Sequence, residues 1–221
     1  MLKRLDLEEF EHNTGMRHED FFSGWDKVRL VVSLRELIRV REIRVMPMEY
    51  LKQILSSVTL AGDSNIRPYE GAIITTARID PSILLVGQTF VERKKYQSLI
   101  EMFSTFFDGF CTTKGVAKCT ALIVYGELVD GTLALAHYLP PIVEQGERKI
   151  LLDGMHRNFL VMRVGTTLET IIVSGVKVPF PCTPQMWEKV VVVEEKPPRE
   201  KRYFDLHPDL FRQLERVGID G

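Results

Sequence analysis

Short β-branched runs alternate along this chain with stretches whose apolar residues recur at helical spacing, and that alternation predicts a mixed α/β fold. Residues 1–26 are charged, with Leu5, Leu7, Phe10, Phe21, Phe22 and Trp25 interspersed. They read as a short helix near 6–12, a loop at Gly15 and a second short segment. Residues 28–34 have the composition of a strand. Met46-Pro47-Met48 opens a helix to about residue 57, with proline in the first turn, where its missing N–H has no helical partner to lose. Residues 72–79 and 83–86 read as strands parted by the turn Asp80-Pro81-Ser82. Residues 91–107 give the clearest helical pattern, with Tyr96, Leu99, Ile100, Met102, Phe103, Phe106 and Phe107 forming a wide core stripe. Residues 120–125 and 132–138 read as a hairpin across Val129-Asp130-Gly131.

From Pro140 onward the pattern is regular. A short strand at 142–143, a turn at Gln145-Gly146 and a strand at 149–152 lead to the turn Asp153-Gly154. A helix then runs to about residue 164, where Gly165 stops it. A strand at 168–173, a short helix from Thr183-Pro184, a strand at 190–194, a linker at 196–199 and a helix at 208–217 complete the reading. The expected division is one α/β domain over 1–195, with a linker and C-terminal helix over 196–221.

Composition narrows the class. An apolar share of 45% and a charged share of 27% are those of an ordinary globular protein. A net charge of −1 gives no sign of the strongly basic surface that non-specific DNA binding needs. Cys111, Cys119 and Cys182 are odd in number and widely spaced, so they suggest reduced thiols in a cytoplasmic protein and neither a disulfide framework nor a zinc site. The first residues lack the apolar core of a secretory signal. No apolar run approaches the roughly 20 residues of a membrane helix.

One segment carries pointed chemistry. The helix after Asp153 opens with His156 and Arg157, the wrong charge for a helix N-terminus, where the macrodipole makes a cation cost about 0.3–1 kcal/mol. A phosphate would reverse the conflict, because backbone N–H groups, guanidinium and imidazole would converge on one anion. Gly154 lets the backbone turn tightly and approach a ligand. Asp153 can cap the helix or help hold a hydrated magnesium ion. The plainer alternative is a common Asp-Gly turn with Arg157 paired to Glu144 or Glu147.

The run Ile150-Leu151-Leu152-Asp153-Gly154-Met155-His156-Arg157 resembles the signature of the ParB/sulfiredoxin-like fold, above all its Asp-Gly-Gln-His-Arg variant. Leu139-Pro140-Pro141-Ile142-Val143 with Gly146 is similar to that family's approach to the turn. Gly165 and the strand at 168–173 are similar to the segment beyond its helix. The resemblance covers about residues 139–195 and implies a ParB/sulfiredoxin-like core in the C-terminal half, with the N-terminal half packed on it and completing the sheet or a pocket. It implies binding of nucleotide phosphates, with ATP or CTP and Mg2+ as cofactors, followed by hydrolysis or phosphoryl transfer. Family members hydrolyse CTP, repair peroxiredoxin with ATP, phosphorylate serine or serve DNA modification and defence. A non-catalytic nucleotide-responsive regulator or DNA-associated module is therefore the alternative, with nucleotide, DNA or a second copy of the chain as partners.

Carried over by residue, Gly154, Met155, His156 and Arg157 form the nucleotide-binding segment, with Asp153 and His156 as catalytic candidates. Met155 stands where sulfiredoxin has its reactive cysteine and where related serine kinases tend to have a second histidine. Only one expected helix lies beyond residue 195, too little for the helix-turn-helix domain of ParB. Elsewhere, His137 reads as a structural histidine. Glu127, Asp130 and Arg67 read mainly as surface residues, with a base or a second phosphate contact as the sharper option. His12 and His18, among Glu11, Glu19 and Asp20, lack convincing metal-ligand spacing. Lys196, Arg199, Lys201 and Arg202 form a basic run diluted by Glu194, Glu195 and Glu200, and read as a solvated linker.

Overall fold

The computed structural model describes residues 4–21, 23–25, 27–95, 97, 119–163 and 165–220. It is mixed α/β, with several sheets and few helices. The chain divides into two compact units. One gathers Met1–Gly71, Thr120–Leu139 and Arg212–Gly221; the other gathers Ala72–Cys119 and Pro140–Phe211.

The first unit is built on a five-stranded sheet of order β1-β2-β8-β7-β3, with β1 at Leu5–Asp6, β2 at Leu30–Val32, β3 at Arg39–Val45, β7 at Leu122–Glu127 and β8 at Leu133–Tyr138. Strands β7 and β8 are the expected hairpin, antiparallel from Leu122↔Tyr138 to Glu127↔Leu133. Two helices accompany the sheet, α1 at Leu7–Thr14 and α2 at Met48–Ser56. Helix α1 ends at Gly15, which takes the left-handed conformation at φ 68°. Phe10, Tyr50, Ile54 and Leu55 are fully buried, as the helical spacing requires.

Strand β3 has no counterpart in the sequence reading. Its run Arg-Val-Arg-Glu-Ile-Arg-Val is charged at most positions because it is a sheet edge, where charge blocks further strand pairing.

The second unit holds a sheet of order β4-β11-β9-β10-β5 and a two-stranded ribbon β12-β6. Here β4 is Ile73–Ile79, β5 Leu85–Val86, β6 Phe90–Glu92, β9 Ile142–Gln145, β10 Lys149–Asp153, β11 Leu168–Ser174 and β12 Val191–Val193. Helix α3, Met155–Arg163, comes after β10. Its Met155 and Phe159 join Val86, Val143, Leu151 and Ile172 in one hydrophobic cluster, so α3 is seated on the sheet face that carries these residues.

Two expectations need correction, and one holds in part. The N-terminal half does complete the second unit's sheet with β4 and β5 and its ribbon with β6, but β1, β2 and β3 pair with β7 and β8 in a separate sheet. The helix expected from Thr183 is replaced by a bridge, because Gln185 and Val86 exchange both backbone bonds at 2.8 Å; only a 3-10 turn, Trp187–Lys189, remains. Residues 208–217 form two 3-10 turns, Pro208–Leu210 and Leu214–Val217, because the chain straightens at Phe211 (φ −62°, ψ 137°) and Arg212 bridges to Leu60. The helix expected over 91–107 starts at Arg93, after β6, and most of that pattern lies outside the described residues. No helix among the described residues is long and apolar enough to cross a membrane.

Candidate functional site

The turn between β10 and α3 is set up by an irregular strand end. On β10, Leu151 pairs with Val143 and Asp153 pairs with Ile142, so Leu152 is an extra residue against β9. Such a bulge bends a strand and re-aims the side chains beyond it. Gly154 then turns the chain at φ 90°. A Cβ at this position would lie 2.8 Å from Cβ and Cγ of Pro141 and 3.0 Å from its Cα. Only glycine satisfies both the dihedral and this approach.

Helix α3 begins at once. Its first intrahelical bond runs from the Asn158 N–H to the Gly154 carbonyl (3.0 Å), and the amides ahead of Asn158 point out of the helix end. No acidic residue lies in its first turn. The four residues of that turn have different fates. Met155 is buried in the core cluster, so only its backbone remains for a ligand. His156 is half-buried, and its Nε2 accepts the backbone N–H of Glu92 at 3.1 Å. An accepting Nε2 places the ring proton on Nδ1.

Arg157 reaches back to Asp153, with its terminal nitrogen 3.5 Å from the Asp153 carboxylate. The side chains are 12% and 14% exposed. Asp153 is thus an ion-pair partner of Arg157 across the turn, and a carboxylate just ahead of a helix N-terminus has the favourable sign. Asn158 is fully buried and donates its side-chain N–H to the Gly154 carbonyl at 3.0 Å. Its Oδ1 is buried and accepts no hydrogen bond among the described residues, so it can take one from a ligand or solvent donor. Sequence reading passed over both Asn158 and Glu92. Asparagine in a helix carries no periodic signal, and the Glu92 amide matters only through the β6 backbone.

The helix-end amides, the Nδ1 donor of His156 and the guanidinium of Arg157 form a set suited to a small anion. Asp153, the one carboxylate of the turn, is engaged by Arg157. Among the described residues no group of three or more His, Cys, Asp or Glu side chains could hold a metal ion.

The other candidates fall elsewhere. Arg67, Glu127, Asp130 and His137 belong to the other unit, as do His12 and His18. Glu127 pairs with Arg41. The Asp130 carboxylate accepts the Thr132 N–H at 3.0 Å, which holds its pKa below the usual range. Buried His137 accepts the Tyr50 hydroxyl at Nε2 (3.0 Å) and donates from Nδ1 to the Gly218 carbonyl (3.1 Å). Burial lowers its pKa to about 4. Cys119 and Cys182 are free and buried, and Cys111 lies outside the described residues.

In comparisons with known proteins, no family model, no curated protein and no solved structure matches this chain.

Proposed function

We propose that this chain binds the phosphate of a nucleotide, ATP or CTP, at the β10–α3 turn, and that hydrolysis or phosphoryl transfer occurs there. The observation that carries this reading is the glycine at φ 90° packed on Pro141, leading directly into a helix whose first turn holds His156 and Arg157 and no acid. Arg157 supplies charge to the phosphate oxygens, Asp153 holds the guanidinium in place, and the His156 Nδ1–H and the helix-end amides add neutral donors. The strand–turn–helix setting also supports the likeness of residues 139–195 to the ParB/sulfiredoxin-like core.

A second reading keeps the binding and drops the turnover: a nucleotide-responsive regulator or DNA-associated module. Two observations favour it. The His156 nitrogen that would act as a base already accepts the Glu92 amide, and the Asp153 carboxylate is taken up by Arg157. Thermal-shift titration with ATP, CTP and other nucleotides, with and without magnesium, tests the shared premise. A saturable shift with one nucleotide supports it, and no shift with any nucleotide sinks it. Release of inorganic phosphate from the nucleotide that binds then separates enzyme from regulator.

A further inference from the structure

The ribbon beside the turn delivers a second group of cations. Strands β6 and β12 run parallel with Val193 opposite Glu92, so the segments leaving them emerge at the same end. Lys95 and Lys196 each lie three residues past that pair. The Arg202 backbone is pinned at the other end of β6, where its carbonyl accepts the Thr89 N–H at 3.1 Å, and its side chain reaches back, with Nε donating to the Pro197 carbonyl at 2.6 Å, next to Lys196.

At the same end Arg93 is matched by Glu194 at 2.6 Å, whereas neither Lys95 nor Lys196 has an ion pair among the described residues. The Lys196 ammonium is held below the ordinary lysine range by partial burial, then by the like charges of Lys95 and Arg202, with Glu92 opposing. Crowded cations repel one another, and a bound anion turns that repulsion into attraction. This end lies beside the turn, since the Glu92 amide at its start is the one hydrogen-bonded to His156.

We propose that Lys95, Lys196 and Arg202 form a subsite for the outer phosphates of a chain whose first phosphate lies at the β10–α3 turn. The protein then takes di- and triphosphates in preference to monophosphates. This subsite rests on the phosphate reading of the turn. Sequence alone hid it, because the basic run at 196–202 looks balanced by its glutamates until the ribbon adds Lys95 from a distant stretch.

The test is calorimetric titration of the full chain with inorganic orthophosphate and with tripolyphosphate. Three proteins are compared: the native chain, a Lys95→Met/Lys196→Met double variant and Arg157→Ala. Arg202 is left alone because its Nε holds Pro197. The native chain binds tripolyphosphate the tighter. The lysine variant, with an unchanged melting temperature, loses about tenfold or more in tripolyphosphate affinity and keeps its orthophosphate affinity. Arg157→Ala weakens both ligands. If the lysine variant binds tripolyphosphate like the native chain while Arg157→Ala weakens both, the subsite is overturned and the turn reading stands. If Arg157→Ala changes neither ligand, or the native chain binds neither, the turn reading and the subsite fall together.

Discussion

Arg157 already has a carboxylate partner within its own turn, and this changes what its removal should do. A cation at a helix N-terminus with no carboxylate near it could be deleted at no cost to stability. Here deletion leaves Asp153, only 14% exposed, without its guanidinium. Arg157→Ala should lower apo stability by about 1 kcal/mol and weaken nucleotide binding by roughly ten- to a hundredfold. Arg157→Lys should recover part of the binding, because a point charge replaces a planar fork. Melting temperature and a calorimetric dissociation constant on both variants check this. A melting loss with unchanged affinity would make the arginine purely structural. Gly154→Ala is the sharper structural test. The dihedral alone costs about 1–3 kcal/mol, and the new Cβ meets Pro141 at 2.8 Å. Denaturant unfolding should show a larger loss than Gly131→Ala, where φ is also positive but a Cβ meets nothing.

At the scale of elements, the sequence was most legible where one side of a segment is buried. The hairpin β7–β8, the helices α1, α2 and α3, and the strand–turn–helix around Gly154 derive from spacing and from glycine placement. Strand β3 was illegible because its exposed positions include Arg39 and Arg41 at an edge, where side chains report solvent and not sheet. The terminal 3-10 turns were misread because Leu210, Phe211 and Leu214 mimic a helical face, while the backbone is committed to a bridge with Leu60. In the site, Arg157 and Gly154 were visible as a charge and a turn. The Glu92 amide was invisible, since backbone donors carry no residue identity. Gly126 shows how narrowly β3 is fitted. A Cβ there would lie 2.5 Å from the Arg39 carbonyl oxygen, next to the register shift between Val40 and Glu42. Gly126→Ala should therefore push β3 off β7 and raise amide exchange along β3, while exchange in β9 and β10 stays unchanged. Unaltered protection of β3 would contradict this fit.

At the scale of the whole molecule, the first unit carries an acid-sensitive joint. His137 is held by the Tyr50 hydroxyl and the Gly218 carbonyl, and a Cβ on Gly218 would already lie 3.1 Å from its Nδ1. Burial pushes the Tyr50 hydroxyl well above its usual range, so it remains a donor throughout. The imidazole titrates near 6.5 when unfolded and at about 4 when folded. Above pH 6.5 both states are neutral and the contribution is complete. Between pH 6.5 and 4 the unfolded state gains the proton first, so stability falls by roughly 3 kcal/mol in all. Denaturant midpoints at pH 7, 5.5 and 4 should track this loss, and His137→Phe should flatten the slope. An equally steep slope in the variant would assign the acid sensitivity elsewhere.

The first unit also draws its parts from three separated stretches, and Gly218 on the last of them closes over Val31 and His137. A ribosome makes that stretch after every residue of the second unit. The β10–α3 turn can therefore form on the nascent chain while the first unit still lacks its final stretch. Pulse-labelled translation with subsequent protease treatment should show Pro140–Phe211 protected before the stretches of the first unit become so. A stall at residue 211 should leave the first unit cleavable.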